Sequence, residues 1–159
     1  MKTIAKILTG LVIAILLFVG YYVVTSRLSA RVQVSVLPAA SDENAFRSVA
    51  ENVKNGQYEG VSSLDAINKY YFVTVQTDVR NYSLFPAEWA QFTVRPADSD
   101  ALIVSSDAGP ADVPSFGSGT FRVTLLTQSD SASRSGWLEY YIFGRLHSLE
   151  VAPPVSPEP

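Results

Sequence analysis

Residues 70–79 read YYFVTVQTDV, and this stretch decides the fold class of the chain. It is rich in β-branched and aromatic residues, which favour strands, and no Gly or Pro interrupts it. Successive side chains of a strand point to opposite faces. One face, which we predict to be the core face, therefore carries Tyr71, Val73, Val75, Thr77 and Val79, and the other carries Tyr70, Phe72, Thr74, Gln76 and Asp78.

Shorter apolar runs of the same kind lie on both sides of this strand. They are separated by segments rich in Gly, Pro, Asn, Asp and Ser, including the sequon Asn81-Tyr82-Ser83, which we interpret as a turn rather than a glycosylation site. The predicted strands run from Val32 to Pro38, over residues 70–79, from Ala90 to Pro96, and over residues 101–105, 121–125 and 137–151, with Gly144 as a bulge or a point of close approach in the last strand and residues 107–118 as a loop. Six strands at this spacing predict an all-β fold, an immunoglobulin-like antiparallel β-sandwich.

One short helix is predicted at residues 42–54. Its apolar residues recur at i, i+3, i+4 and i+7, the spacing of one helix face: Phe46, Val49, Ala50 and Val53. Ser41 or Asp42 supplies the N-cap, and Asn55-Gly56 ends the helix.

The N-terminal part of the chain has the pattern of a membrane anchor. Twenty uncharged residues, ILTGLVIAILLFVGYYVVTS, lie between Lys6 and Arg27. A helix of that length spans about 30 Å, the thickness of the hydrocarbon core of a bilayer. A cleavable signal peptide is the alternative, but its apolar stretch usually runs only about 7–15 residues. We therefore predict a retained, single-pass signal-anchor that contacts the lipid bilayer.

Charge predicts the orientation of this anchor. The N-terminal tail carries Lys2 and Lys6 and no acid, whereas all fifteen acidic residues follow the apolar run. This distribution favours a cytoplasmic N-terminus and an extracytoplasmic C-terminal domain at the plasma membrane. The predicted organisation is a cytoplasmic tail at 1–6, the anchor at 7–26, a linker at 27–31, the β-sandwich at 32–151 and a disordered Pro-rich tail at 152–159.

Cysteine and histidine content excludes several kinds of site. The 159 residues include no Cys and one His, so the chain forms no disulfide, thiolate metal site, cysteine nucleophile or multi-histidine metal centre. An exported domain without disulfides depends on its hydrophobic core, which about 120 residues can supply. Cysteine-free exported domains are typical of Gram-positive bacteria, and we predict that setting.

Carboxylates are the remaining candidates for chemistry. Calcium takes 6–8 oxygen ligands, and the segment at 96–118 offers four carboxylates, Asp98, Asp100, Asp107 and Asp112. Their spacing lacks the regular pattern of an EF-hand, so we expect solvated turn residues. Glu139 and Glu150 lie eleven residues apart on one predicted strand, too far for a catalytic pair.

His147 is interpreted as a strand residue on a half-exposed face. Its neighbour Ser148 points to the opposite face, so the two cannot form a nucleophile and base.

Aromatic residues are the candidates for binding. They fall on two predicted strands that are apolar on both faces: Tyr70, Phe72, Trp137, Tyr140 and Tyr141. A two-layer sandwich buries only one face of each sheet in its core, so the second set needs a cover. That cover is either the helix at 42–54 or the loop at 107–118, or else a partner, in which case these five residues are the predicted partner-binding site.

The predicted function is therefore binding rather than catalysis. Scattered basic residues and a formal net charge of −3 disfavour nucleic acid. We predict a non-enzymatic binding or assembly module without a cofactor, an accessory subunit of a bacterial envelope complex with an envelope protein as partner. Self-association through the small pair Gly10 and Ala14 is left open. The alternative is an envelope enzyme or a calcium-dependent domain that uses the loop carboxylates in 96–118.

Overall fold

The apolar N-terminal run forms a single helix, α1 (Lys2–Thr25). The computed structural model describes residues 2–25, 27–94, 101–130 and 135–153. Within α1, the segment Lys2–Tyr22 is long and apolar enough to cross a membrane, and none of it is buried against the rest of the chain.

Two antiparallel sheets follow the helix. The described residues form eight strands: β1 (Leu28–Pro38), β2 (Tyr71–Asn81), β3 (Ala87–Val94), β4 (Leu102–Asp107), β5 (Ala111–Val113), β6 (Ser118–Thr127), β7 (Gly136–Ile142) and β8 (Arg145–Val151). The first sheet has the order β1-β2-β6-β4, and the second has the order β5-β3-β7-β8. The prediction of a mostly β domain with antiparallel sheets is confirmed, and we refer to residues 28–151 as the β-domain.

The main core of the β-domain draws residues from both sheets. Val73 and Val75 of β2 belong to the same buried cluster as Phe92 of β3 and Leu138 of β7. The predicted core face of β2 is confirmed, since Val73, Val75, Thr77 and Val79 are at most 1% exposed. The alternation along β2 therefore places one face of this strand in the main core.

A second, smaller core lies on the other face of the first sheet. Helix α2 (Glu43–Lys54) places Val49 and Val53 against Phe72 of β2 and Leu126 of β6. Asp42 caps this helix, because its Oδ1 accepts a hydrogen bond from the Ala45 amide at 3.0 Å. The predicted helix is confirmed, with Asp42 rather than Ser41 as the N-cap.

The predicted final strand at 137–151 is wrong, because the chain reverses in its middle. Strands β7 and β8 form a hairpin in which Ile142 pairs with Arg145. Phe143 and Gly144 connect them with φ angles of +52° and +68°. Positive φ at both central residues is the geometry of a type I′ turn, whose twist matches that of the flanking strands. Gly144 is thus a turn residue and not a bulge.

The hairpin also changes the geometry of the acidic pair. Glu139 lies opposite Ser148, and Glu150 lies opposite Trp137, so the two glutamates are diagonal neighbours on adjacent strands. The predicted wide separation of these carboxylates is therefore wrong.

Two other boundaries differ from the sequence prediction. Residues 107–118, predicted as a loop, contain the short strand β5, which pairs with β3 at Ala87 and Ala90. Strand β1 begins at Leu28 rather than at residue 32, because Leu28 is buried and pairs with Asn81. Most of the predicted linker at 27–31 is therefore strand.

Gly136 offers a test of how closely side chains pack between the neighbouring strands β3 and β7 of the second sheet. A Cβ at Gly136 would lie 2.5 Å from two atoms of the Phe92 ring and 2.7 Å from the Thr93 carbonyl oxygen. We expect Gly136→Ala to lower the free energy of unfolding by about 1–3 kcal/mol, the usual cost of overpacking a core. Gly119→Ala is the matched control, since its Cβ would lie 3.4 Å from Val113, an ordinary contact. Equal midpoints of urea unfolding for the two variants would contradict the packing described here.

Candidate functional site

Two of the predicted partner-binding aromatics lie inside the chain. Tyr70 is 7% exposed and Phe72 is 8% exposed, and both belong to the core beneath α2. The Tyr70 ring packs against Phe46 of α2, with ring centroids 5.6 Å apart. Its hydroxyl accepts hydrogen bonds from the Asp65 amide and from Gln128 Nε2, each at 3.2 Å. Of the two covers considered from the sequence, α2 is the one present at these residues.

Tyr140 is also buried, but in the main core. Its hydroxyl accepts a hydrogen bond from the Leu28 amide at 3.3 Å, which joins β7 to the first residue of β1. Its ring stacks on His147, with centroids 5.3 Å apart and planes 10° apart. Burial, together with the nearby charges of Arg145 and Arg27, lowers the pKa of His147 and favours the neutral imidazole that stacks there.

The outer face of the second sheet carries the other predicted aromatics. Strand pairing places Trp137 beside Glu150, Glu139 beside Ser148, and Tyr141 beside Leu146. Tyr141 is 39% exposed and Leu146 is 51% exposed. Across β3, this face continues through Glu88, Gln91 and Thr93. We call this surface, made of the outward residues of β3, β7 and β8, the open face, because among the described residues α2 covers only the first sheet.

The open face combines two kinds of contact. An apolar pair, Tyr141 and Leu146, lies toward the hairpin turn, and carboxylates lie around it: Glu88 opposite Tyr141 on β3, and Glu139 and Glu150 farther along the hairpin. Aromatic and aliphatic side chains supply binding energy in protein interfaces, and surrounding charges select the partner. Such a surface suits a protein partner with an apolar anchor and basic neighbours.

A second exposed surface lies at the end of the β-domain where β1 begins. We call it the loop rim, and it consists of the β2–β3 loop (82–86), the β5–β6 loop (114–117) and the β7–β8 turn (143–144). Leu84, Phe116 and Phe143 project from it with exposed fractions of 43%, 57% and 59%. Phe116 and Phe143 also have positive φ angles, an uncommon conformation for bulky residues.

Buried Asn81 holds the loop rim together. Its side-chain amide donates to the carbonyl oxygens of Phe85 at 2.8 Å and Val113 at 3.2 Å. Its Oδ1 accepts from the Ser83 amide at 2.9 Å, and its backbone amide donates to the Gly117 carbonyl at 2.9 Å. Since Asn81 is fully buried and its amide hydrogens are donated inside the β-domain, the sequon residue leaves no place for a glycan in this fold.

The loop carboxylates do not form a recognisable site where they are described. Asp112 Oδ1 accepts a hydrogen bond from the Trp89 amide at 2.9 Å, and Asp107 pairs in register with Arg122. Asp98 and Asp100 lie outside the described residues. Within residues 2–25, 27–94, 101–130 and 135–153, no group of three His, Asp or Glu side chains could hold a metal ion.

The loop rim was missed by sequence reasoning, although the sequence holds a signal for it. Leu84 is followed closely by Pro86, while Phe116 and Phe143 each precede a glycine. Turns usually carry small or polar residues. A large apolar residue in each of three turns is therefore a pattern that could have pointed to a surface.

No protein family model matches the chain, and no curated protein matches its sequence.

Proposed function

We propose that the chain is a single-pass membrane protein with a cytoplasmic N-terminus and an extracytoplasmic β-domain. The length and composition of α1 support the anchor. The acid-free tail with Lys2 and Lys6, and the acidic residues that all follow the helix, support the orientation. Cysteine-free composition supports the setting of a Gram-positive envelope.

We further propose that the β-domain is a sandwich of the immunoglobulin-like type. In that type, strands A, B, E and D form one sheet and C, F and G form the other. The first sheet, β1-β2-β6-β4, has the order A-B-E-D, and β3-β7-β8 has the order C-F-G. Two additions distinguish this chain: α2 is inserted between the first two strands, and β5 extends the second sheet beside β3.

The proposed activity is binding of a protein partner through the open face, as an accessory subunit of an envelope complex. One observation carries this proposal: α2 covers the outer face of the first sheet, whereas Tyr141 and Leu146 on the second sheet stay exposed. A chain that covers the outer face of one sheet and leaves large apolar side chains exposed on the other has a surface suited to a partner. Tyr141, with Trp137 beyond it on the same face, is the part of the predicted aromatic site that retains this role.

Recovery of partners from membranes tests the proposal. We expect Tyr141→Ser with Leu146→Ser to reduce recovery of cross-linked partners at least about tenfold, because a few buried anchors, tyrosine prominent among them, carry most of the binding energy of an interface. Leu37→Ser is the matched control, since Leu37 is 55% exposed at the far end of β1. Full-length protein would be cross-linked in native membranes, purified, and its partners quantified by mass spectrometry. Unchanged recovery for the double variant would reject the open face as the binding site.

A further inference from the structure

Exposed apolar side chains are distributed unevenly over the β-domain. Among the described residues after α1, nine large hydrophobic residues are exposed: Leu37, Tyr82, Leu84, Trp89, Ile103, Phe116, Tyr141, Phe143 and Leu146. All of them except Leu37 and Ile103 lie on the loop rim or within three residues of it. Scattered single hydrophobics are normal on a protein surface, but a cluster at one end marks an interaction site.

This end of the β-domain is also where the chain leaves α1. Strand β1 starts at Leu28, which pairs with Asn81, the last residue before the β2–β3 loop. Only two residues separate Leu28 from Thr25, the last residue of α1. Three steps along the backbone span at most about 11 Å. The loop rim is therefore tied closely to the end of the apolar helix.

The loop rim is held in one shape. Besides the bonds of Asn81, the Phe116 amide donates to the Ser83 carbonyl at 3.3 Å, and Ser115 Oγ donates to the Leu84 carbonyl at 2.9 Å. Phe143 packs against Phe85, with ring centroids 4.0 Å apart. These contacts connect all three segments of the rim. Apolar side chains held this way are presented to a binding surface with little further loss of conformational freedom.

The loop rim itself is uncharged, and its basic neighbours Arg27 and Arg80 lie on the side where β1 begins. The eleven residues of its three segments carry no charge, and Arg27, Arg80 and Arg145 flank them. None of these arginines makes a salt bridge among the described residues, and Arg80 lies over the Tyr82 ring at 5.6 Å. A shallow pocket beside the rim is lined by Ser29, Arg31, Asp78, Val79, Arg80, Tyr82 and Ser118. The nearest other carboxylates in sequence, Glu88 and Asp112, follow or precede the loops on β3 and β5.

We propose that the loop rim lies in the interfacial layer of the same bilayer that α1 crosses. Leu84, Phe116 and Phe143 enter the boundary between headgroups and acyl chains, and Arg27, Arg80 and Arg145 contact the phosphates of anionic phospholipids. Aromatic and basic side chains are the residues that favour this layer. The inference rests on the proposed membrane anchor and specifies how the β-domain sits on the membrane.

Environment-sensitive probes on the full-length protein test this inference. Because the chain has no cysteine, single cysteines can be labelled with NBD at Leu84, Phe116, Leu37 and Ile15 without other changes. The protein is reconstituted in phosphatidylcholine vesicles with and without phosphatidylglycerol. We expect probes at 84 and 116 to show blue-shifted emission and quenching by lipids brominated near the headgroup, whereas the probe at 37 behaves as in water. Two rim positions are labelled so that the conclusion does not depend on a single substitution, which could disturb folding.

The probe at Ile15 distinguishes a failure of the inference about the rim from a failure of the proposed membrane anchor. Quenching at 15 with a water-like signal at 84 and 116 overturns the inference about the rim while leaving the anchor intact. A water-like signal at 15 contradicts the anchor itself. If the rim probes are quenched equally without phosphatidylglycerol, the role given to the arginines is overturned. If the probes at 84 and 116 show blue-shifted emission in native membranes but a water-like signal in lipid vesicles, the rim contacts a protein partner and the inference about lipid is overturned.

Discussion

Replacing Val75 with aspartate is expected to unfold the β-domain or nearly so. Val75 is fully buried in β2, between Val34 of β1 and Val123 of β6 in the ladder. An aspartate there would be an unpaired charge or an unpartnered carboxylic acid in an apolar core. The expected loss is about 4 kcal/mol or more, a large part of the stability of a domain this size.

Gln33→Asp is the matched control for this prediction. Gln33 is exposed and lies opposite Gln76, one step along the ladder from the pair Val34 and Val75. We expect its effect to stay within about 0.5 kcal/mol, as for most surface substitutions. Urea unfolding in detergent, followed by tryptophan fluorescence, measures both variants. Trp89 and Trp137 are the two tryptophans of the chain, so the signal reports on the β-domain alone. Similar losses for both variants would show that the face assignment of β2 is wrong.

Asn81→Ala is expected to have the second largest effect, because it removes the centre of the loop rim. Its side chain makes three hydrogen bonds, to the Phe85 carbonyl, the Val113 carbonyl and the Ser83 amide. At about 1 kcal/mol for each bond, the expected loss of stability is about 3 kcal/mol. Asn81→Asp should lose at least as much, since a carboxylate repels the two carbonyl oxygens that the amide now bonds.

Ser115→Ala is the control from the same loops. Ser115 makes one exposed hydrogen bond, to the Leu84 carbonyl, so its loss should cost less than about 1 kcal/mol. The same fluorescence measurement compares the variants, and amide hydrogen exchange of residues 82–86 and 114–117 shows whether the rim has loosened. If Asn81→Ala matches Ser115→Ala in both readouts, Asn81 does not organise the rim.

Short-range sequence patterns correctly predicted the elements that depend on neighbouring residues in the chain. The alternation of Val73, Val75 and Val79 gave the buried face of β2, and Asp42 marked the start of α2. The turn at Phe143-Gly144 escaped prediction, because a type I′ turn usually has Asn or Asp before the glycine and Phe carries no such signal. Apolar alternation continues on both sides of the turn, so the hairpin resembles one long strand in sequence.

The candidate site depended on contacts that a single sequence does not contain. Phe72 lies on the face of β2 that points away from the main core, as the alternation indicated, and Tyr70, which directly precedes β2, belongs to the same smaller core. What covers that face is a matter of tertiary structure, and it is α2 that does so. Tyr141 follows Tyr140 and has the same residue type, yet it is exposed and Tyr140 is buried, because successive residues of β7 point to opposite faces and only the face of Tyr140 packs in the main core.

The short connection between α1 and β1 restricts how the free edge of β1 can pair with another copy of the chain. Strand β1 is an edge strand whose eleven residues pair with β2 without a register shift, a geometry that often allows two chains to join their sheets. If two β1 edges joined in the usual antiparallel way, the start of one strand would lie beside the end of the other. The starts of the two strands would then be about 33 Å apart, the length of ten steps along a strand. If α1 inserts two copies in the same direction, as proposed above, β1 of each copy starts within about 11 Å of its helix. In the proposed orientation, with α1 across the bilayer and the loop rim on its surface, β1 of every copy would run away from the membrane, so antiparallel joining of two β1 edges would be disfavoured and the anchor would protect against sheet-mediated aggregation.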